Sequence, residues 1–304
     1  MPQILQFGVV LLLVVLGCTK VTLQGRVSRL HIRNTSDSVL FNAQLFIAMA
    51  AVIAILFPLG AMNGNGLLLA FLAALGTFLF QTSYALGLRC GPVSLTVLMV
   101  NFSVLFITAF SVFYFRESLY LSQVIGIVFL VISMVLSVKK DDGKSGISGK
   151  WLFLALFAMA TTSAASIFMK LFVKAYSATL ENSENTFVVL MYVIASLMAF
   201  AYYFFAANTG KKEKNTYGFF NRSVLLFVLL ISVALGVYQR FYLVGMENID
   251  GAFMFPTYAG LQSLGMTVIG IVLFRDRLTL RQKIGVACGI VCVVIMNLNF
   301  VPLL

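Results

Sequence analysis

The chain has 304 residues, of which 61% are apolar and only 10% charged, with a mean hydropathy of +1.01 and a formal net charge of +11. A soluble domain is roughly 45–50% apolar and about 25% charged. This composition therefore excludes a soluble enzyme, a disordered chain and a secreted disulfide scaffold, and leaves a polytopic membrane protein.

Ten apolar runs follow one another at about 4–23, 39–58, 66–88, 92–115, 119–138, 151–173, 185–207, 223–246, 251–274 and 278–299. Each is close to the ~20 residues that a helix needs to cross the hydrocarbon core. The runs are apolar all round rather than alternating, so they predict helices and not the strands of a barrel. Together they use the whole chain and leave no room for a soluble catalytic domain. No Lys or Arg precedes Lys20, so the first run lacks the basic start of a secretory signal and reads as an uncleaved first span. Gly91-Pro92 and Ile249-Asp250-Gly251 make very tight junctions that force consecutive helices to be antiparallel neighbours.

The two halves repeat each other. Phe115-Arg116-Glu117-Ser118-Leu119-Tyr120-Leu121-Ser122-Gln123, with Gly126 beyond, matches Phe274-Arg275-Asp276-Arg277-Leu278-Thr279-Leu280-Arg281-Gln282, with Gly285 beyond, at an offset of 159. Gln81-x-x-Tyr84-x-x-Gly87 matches Gln239-x-x-Tyr242-x-x-Gly245 at an offset of 158, and Lys20 matches Lys170 at 150. Each copy holds five spans. An odd number makes the second copy enter the membrane upside down, which is the inverted repeat of many secondary transporters. The expected fold is thus an all-α membrane protein, with ten transmembrane helices as two inverted five-helix repeats around a central cavity. The expected boundaries are 1–138 for the first repeat, 139–150 for a basic linker and 151–304 for the second repeat.

Polar groups inside a bilayer are costly, so each is a functional candidate. Lys20 and Lys170 stand near span ends, where snorkelling along the aliphatic stem is the structural alternative to a binding role. Gln239 and Arg240 lie about two turns inside the eighth run, with Tyr242 and Glu247 beyond. Arg240 is expected to pair with Glu247 or to bind a substrate carboxylate or phosphate through its planar fork. Gln81 and Tyr84 are the matching pair in the third run, and helix–helix hydrogen bonding is their alternative role. Gln44 (with Asn42), Asn101 (with Ser103), and Tyr258 and Gln262 one turn apart after Pro256 complete the residues expected to line the cavity. Glu117 and Asp276, each beside an Arg at a span junction, read as structural charge pairs or helix N-terminal caps, with a gating or proton role as the minority alternative.

No Asp or Glu lies deep within a run, while basic groups do, which favours an anionic or zwitterionic cargo over a cationic drug. Cys18, Cys90, Cys288 and Cys292 sit in or beside apolar runs without His or carboxylate neighbours, so neither a metal site nor a disulfide is expected. No nucleotide-binding glycine motif is present, so no cofactor is expected and energy must come from gradients or exchange. The lone His31 has no acidic neighbour before Asp37, which argues against a membrane-embedded enzyme.

The span-ending lysines, the tight turns and the Phe-Arg-acid-x-Leu-x-Leu-x-Gln-x-x-Gly element together resemble the drug/metabolite transporter superfamily, in particular its ten-helix EamA-like branch. The resemblance implies export or exchange of small metabolites, no enzymatic activity, and residence in a cell membrane, most simply the cytoplasmic membrane of a bacterium. The expected partners are a small-molecule metabolite, the lipid bilayer and a coupling proton, with no nucleic acid, in a monomer or homodimer. Most basic residues fall in the odd-numbered loops, which by the positive-inside rule puts both termini outside; the family analogy puts them inside.

Overall fold

The computed structural model describes residues 3–32, 34–90, 99–137, 149–176, 179–208, 218–274 and 280–296. Ten helices are named here in chain order: α1 Gln3–His31, α2 Thr35–Leu56, α3 Gly64–Cys90, α4 Ser103–Phe115, α5 Leu121–Ser137, α6 Gly149–Tyr176, α7 Ser183–Asn208, α8 Arg222–Asn248, α9 Gly251–Phe274 and α10 Leu280–Met296. Each falls on one of the ten expected runs. Six stretches, within α1, α2, α3, α6, α7 and α8, are long and apolar enough to cross a membrane by length and composition. Large apolar side chains such as Ile55, Phe113 and Phe220 are at least 80% exposed. That surface suits hydrocarbon and not water.

Local signals set several helix ends. Asn34 caps α2: its side-chain oxygen accepts from the Asp37 N–H at 2.8 Å. After α4, Arg116 adopts a left-handed backbone (φ 53) and breaks the helix before α5. Asn182, also left-handed (φ 56), turns the chain into α7, and Asn is among the residues that tolerate this conformation best.

The chain packs as two compact units, and neither coincides with a sequence half. The first unit holds residues 1–18, 87–163 and 248–304; the second holds 19–86 and 164–247. Each therefore takes elements from both halves.

In the first unit, α5 and α10 pack side by side, and α9 packs on α4, α5 and α10. Ser133 on α5 donates its hydroxyl to the Gly285 carbonyl on α10 at 2.7 Å. A Cβ at Gly289 would come within 2.9 Å of that hydroxyl and 3.1 Å of Leu264 on α9, so only a small residue lets the three helices meet. The α1–α9 contact is equally tight at Gly265, where a Cβ would stand 2.8 Å from the Cys18 sulfur.

In the second unit, α2 and α7 pack along each other. Ala43 and Ala199 are fully buried there, and the Ser196 hydroxyl donates to the Ala43 carbonyl at 2.9 Å. Phe46 stacks on Tyr192 at 5.9 Å, and Phe172 of α6 stacks on Phe187 of α7 at 4.2 Å. The closest pair in each unit joins counterparts: α5 and α10 are the fifth helices of the two halves, α2 and α7 the second.

Candidate functional site

The polar groups of the second unit converge where α6, α7 and α8 meet. On α6, Lys170 is completely enclosed, at 0% exposure. One turn before it, the Ser166 hydroxyl is hydrogen-bonded to Tyr242 of α8, and Tyr242 stacks on Tyr238 at 5.5 Å. Beside Lys170 in the chain, the Met169 sulfur accepts from Gln239 Nε2 at 3.1 Å. The Gln239 side-chain oxygen accepts from the Tyr192 hydroxyl of α7 at 3.2 Å. Gln239 thus ties Tyr192 of α7 to Met169 of α6, with the buried Lys170 the next residue along α6 and the buried Tyr242 one turn along α8. Buried polar groups of this kind are held by their hydrogen bonds, because burial without partners is costly.

Arg240, next to Gln239, reaches Glu184 in the first turn of α7, with Nη1 and Oε1 2.9 Å apart. This corrects the expected pairing of Arg240 with Glu247. Seven residues along a helix separate two Cα atoms by about 10 Å, whereas side chains on one helix meet at a spacing of three or four. At Glu247 the main-chain carbonyl accepts from Lys174 Nζ at 3.1 Å.

Three carboxylates that lie outside the apolar runs are buried in the structure. Asp37 is fully buried, Glu117 is 8% exposed and Glu184 is buried beside Arg240. Glu117 accepts from the Gly251 N–H at 2.6 Å and so caps the N-terminus of α9, a helix 134 residues away. Asp276 lies outside the described residues.

The remaining candidates are placed elsewhere. In the second unit, Gln44 is buried on α2 and its Nε2 donates to the Phe219 carbonyl at 2.7 Å, which ties it to the chain entering α8. Gln81 and Tyr84 are partly buried on α3, with Tyr84 stacked on Phe80 at 5.5 Å. Lys20 is partly buried, and α1 runs eleven residues beyond it to His31, so it is not at a helix end. In the first unit, Tyr258 and Gln262 share a face as their spacing required: both press on Gly17 of α1, where a Cβ would come within 2.8 Å of the Tyr258 hydroxyl and 3.0 Å of Gln262 Nε2. Asn101 is partly buried just before α4.

Sequence reasoning missed Ser166, Tyr192 and Glu184. Ser166 and Tyr192 are single polar residues in long apolar runs. Glu184 sits in the polar stretch Glu181-Asn182-Ser183-Glu184-Asn185, which reads as a loop. Its position within one turn of an Asn-led helix start was the available signal.

Comparison with known proteins gives a consistent answer. The family model of the EamA-like transporter family matches residues 8–139 and again 149–298, once in each half. No curated protein matches. A solved structure, described only as the crystal structure of a protein, has the same fold with a TM-score of 0.72 over 97% of both chains, at 15% identity. With both halves matched and ten helices in the order the repeats require, the chain belongs to the EamA-like transporter family of the drug/metabolite transporter superfamily, a family of integral membrane transporters.

Proposed function

We propose that the protein is a secondary-active carrier that moves a small anionic or zwitterionic metabolite, such as an amino acid, an organic acid or a phosphorylated compound, by alternating access across a bacterial cell membrane. The two repeats enter the membrane in opposite senses, as their odd helix count requires. The observation that supports the choice of cargo is the basic character of α6 and α8 in this unit: Lys170 fully enclosed on α6, and Arg240 on α8. The planar fork of an arginine suits a carboxylate or phosphate, and Arg240 is the group that would offer it to the solute. The alternative cargo, a cationic drug, would need a carboxylate at its disposal. Glu184 already stands against Arg240.

The test is a thermal-shift screen of the purified protein against carboxylates, amino acids, phosphorylated metabolites and quaternary ammonium compounds, followed by counterflow in proteoliposomes with each hit. An anionic or zwitterionic hit that drives counterflow and is lost in Arg240→Gln and Lys170→Gln supports the proposal. Tight quaternary ammonium binding that survives both substitutions refutes it.

A further inference from the structure

The Arg240–Glu184 contact is not built as a stabilising salt bridge is built. An arginine–carboxylate pair at its strongest is bidentate, with two parallel N–H···O bonds. Here the two groups touch through one nitrogen and one oxygen, 2.9 Å apart. Arg240 Nη1 makes no in-line hydrogen bond, and Glu184 Oε2 accepts none among the described residues. Both side chains are largely shielded, at 22% and 10% exposure. The charges are neutralised while the guanidinium fork is left mostly unused.

We propose that Glu184 is a resident surrogate ligand: its carboxylate neutralises Arg240 while the site is unloaded, and the carboxylate or phosphate group of a small solute takes its place on loading. The proposal rests on the carrier reading given above. Three physical arguments support it. An unpaired guanidinium in a low-dielectric interior is strongly unfavourable, so an unloaded carrier needs an internal anion. A solute anion that engages the fork with two in-line bonds gains more from Arg240 than Glu184 does with one off-axis contact. The displaced Glu184 is not stranded, because it stays in the first turn of α7, where the helix N-terminus favours negative charge. Selection then follows from charge. A solute must bring its own anion to displace Glu184, and a neutral or cationic analogue has nothing to exchange for it.

The proposal is tested without a transported solute. Glu184→Ala and Glu184→Gln proteins are purified, and their thermal unfolding is followed in sodium acetate, in sodium phosphate, and in choline chloride at matched ionic strength. Glu184→Ala is expected to unfold roughly 5 °C or more below the unsubstituted protein. About 100 mM acetate or phosphate is expected to restore about half of that loss or more, with a saturable dose dependence. In the unsubstituted protein the anion must first displace Glu184, so its shift under the same conditions should be smaller than that of Glu184→Ala. The double variant E184A/R240Q should show no anion dependence. Glu184→Gln keeps the side-chain volume and gives the same anion readout where the alanine variant folds poorly. Indifference of both variants to acetate and phosphate overturns the proposal, as does an anion response that persists in E184A/R240Q. Absence of any solute flux would instead overturn the carrier reading, so the two failures are distinguishable.

Discussion

Gly60 gives the sharpest structural prediction, because it joins the turn before α3 to the turn that carries Glu184. The Gly60 N–H donates to the Thr186 hydroxyl at 2.9 Å, and that hydroxyl donates back to the Gly60 carbonyl at 2.8 Å. Asn185 Nδ2 donates to the Pro58 carbonyl at 2.8 Å. A Cβ at Gly60 would overlap the main-chain carbonyl oxygen of Glu181, and the Asn182 carbonyl carbon lies 2.8 Å from it. Both neighbours are backbone, so no rotamer change relieves the clash and the two turns must separate. Separation places three hydrogen bonds at risk, each contributing about 0.5–1.5 kcal/mol. With one of these bonds lost and the cost of an overpacked contact, about 1–3 kcal/mol, Gly60→Ala should destabilise the protein by roughly 2–4 kcal/mol. At about 2–4 °C per kcal/mol, that is a fall in Tm of roughly 4–16 °C. The assay is thermal unfolding in detergent followed by size-exclusion survival or by the fluorescence of Trp151, the chain's one tryptophan. Gly64→Ala is the matched control, since a Cβ there meets nothing within 4 Å. If Gly60→Ala unfolded within about 1 °C of Gly64→Ala, the account of this junction would be wrong.

Other expectations follow from single contacts. Glu117→Ala removes the charged cap from α9 and should cost about 1–3 kcal/mol in thermal unfolding, while Glu117→Gln, which keeps an acceptor but loses the charge, should cost less. Gly289→Ala should push the Ser133 hydroxyl off the Gly285 carbonyl, so the S133A/G289A double variant should be no less stable than Gly289→Ala alone; additive losses would contradict this. Gln239→Leu should break the link from α6 through α8 to Tyr192 at a cost of about 1–3 kcal/mol, because the Tyr192 hydroxyl is then buried without its acceptor, and adding Tyr192→Phe should recover part of the loss.

Much of this architecture is legible in the sequence because the bilayer imposes a simple code. An apolar run of about 20 residues with charged or Gly/Pro ends must be a helix, and the ten helices fall where the ten runs put them. The duplication was legible too, from Lys20/Lys170 and the Gln-Tyr-Gly and Phe-Arg-acid elements. The compact units were not, because they are set by packing between distant segments: α5 on α10 and α2 on α7 each join residues about 150 positions apart.

The candidate site was half legible. Lys170, Gln239, Arg240 and Tyr242 announced themselves as polar residues inside apolar runs, and Lys170, Gln239 and Tyr242 are all buried. Glu184 did not, since a carboxylate one turn inside a helix start looks like a solvated end until tertiary structure buries it against Arg240. Glu117 shows the same limit. Its residue type and position fitted a helix cap, but which helix it caps depends on a contact with Gly251 that no local pattern encodes.

The central claim, carriage of an anionic or zwitterionic solute through the Lys170–Arg240 region, is tested most directly by counterflow. Purified protein in liposomes preloaded with a carboxylate- or phosphate-bearing metabolite should take up the labelled compound well above protein-free liposomes. Arg240→Gln and Lys170→Gln proteins that remain folded should fall to that background. Undiminished uptake in both variants, or flux restricted to cationic compounds, would contradict the account.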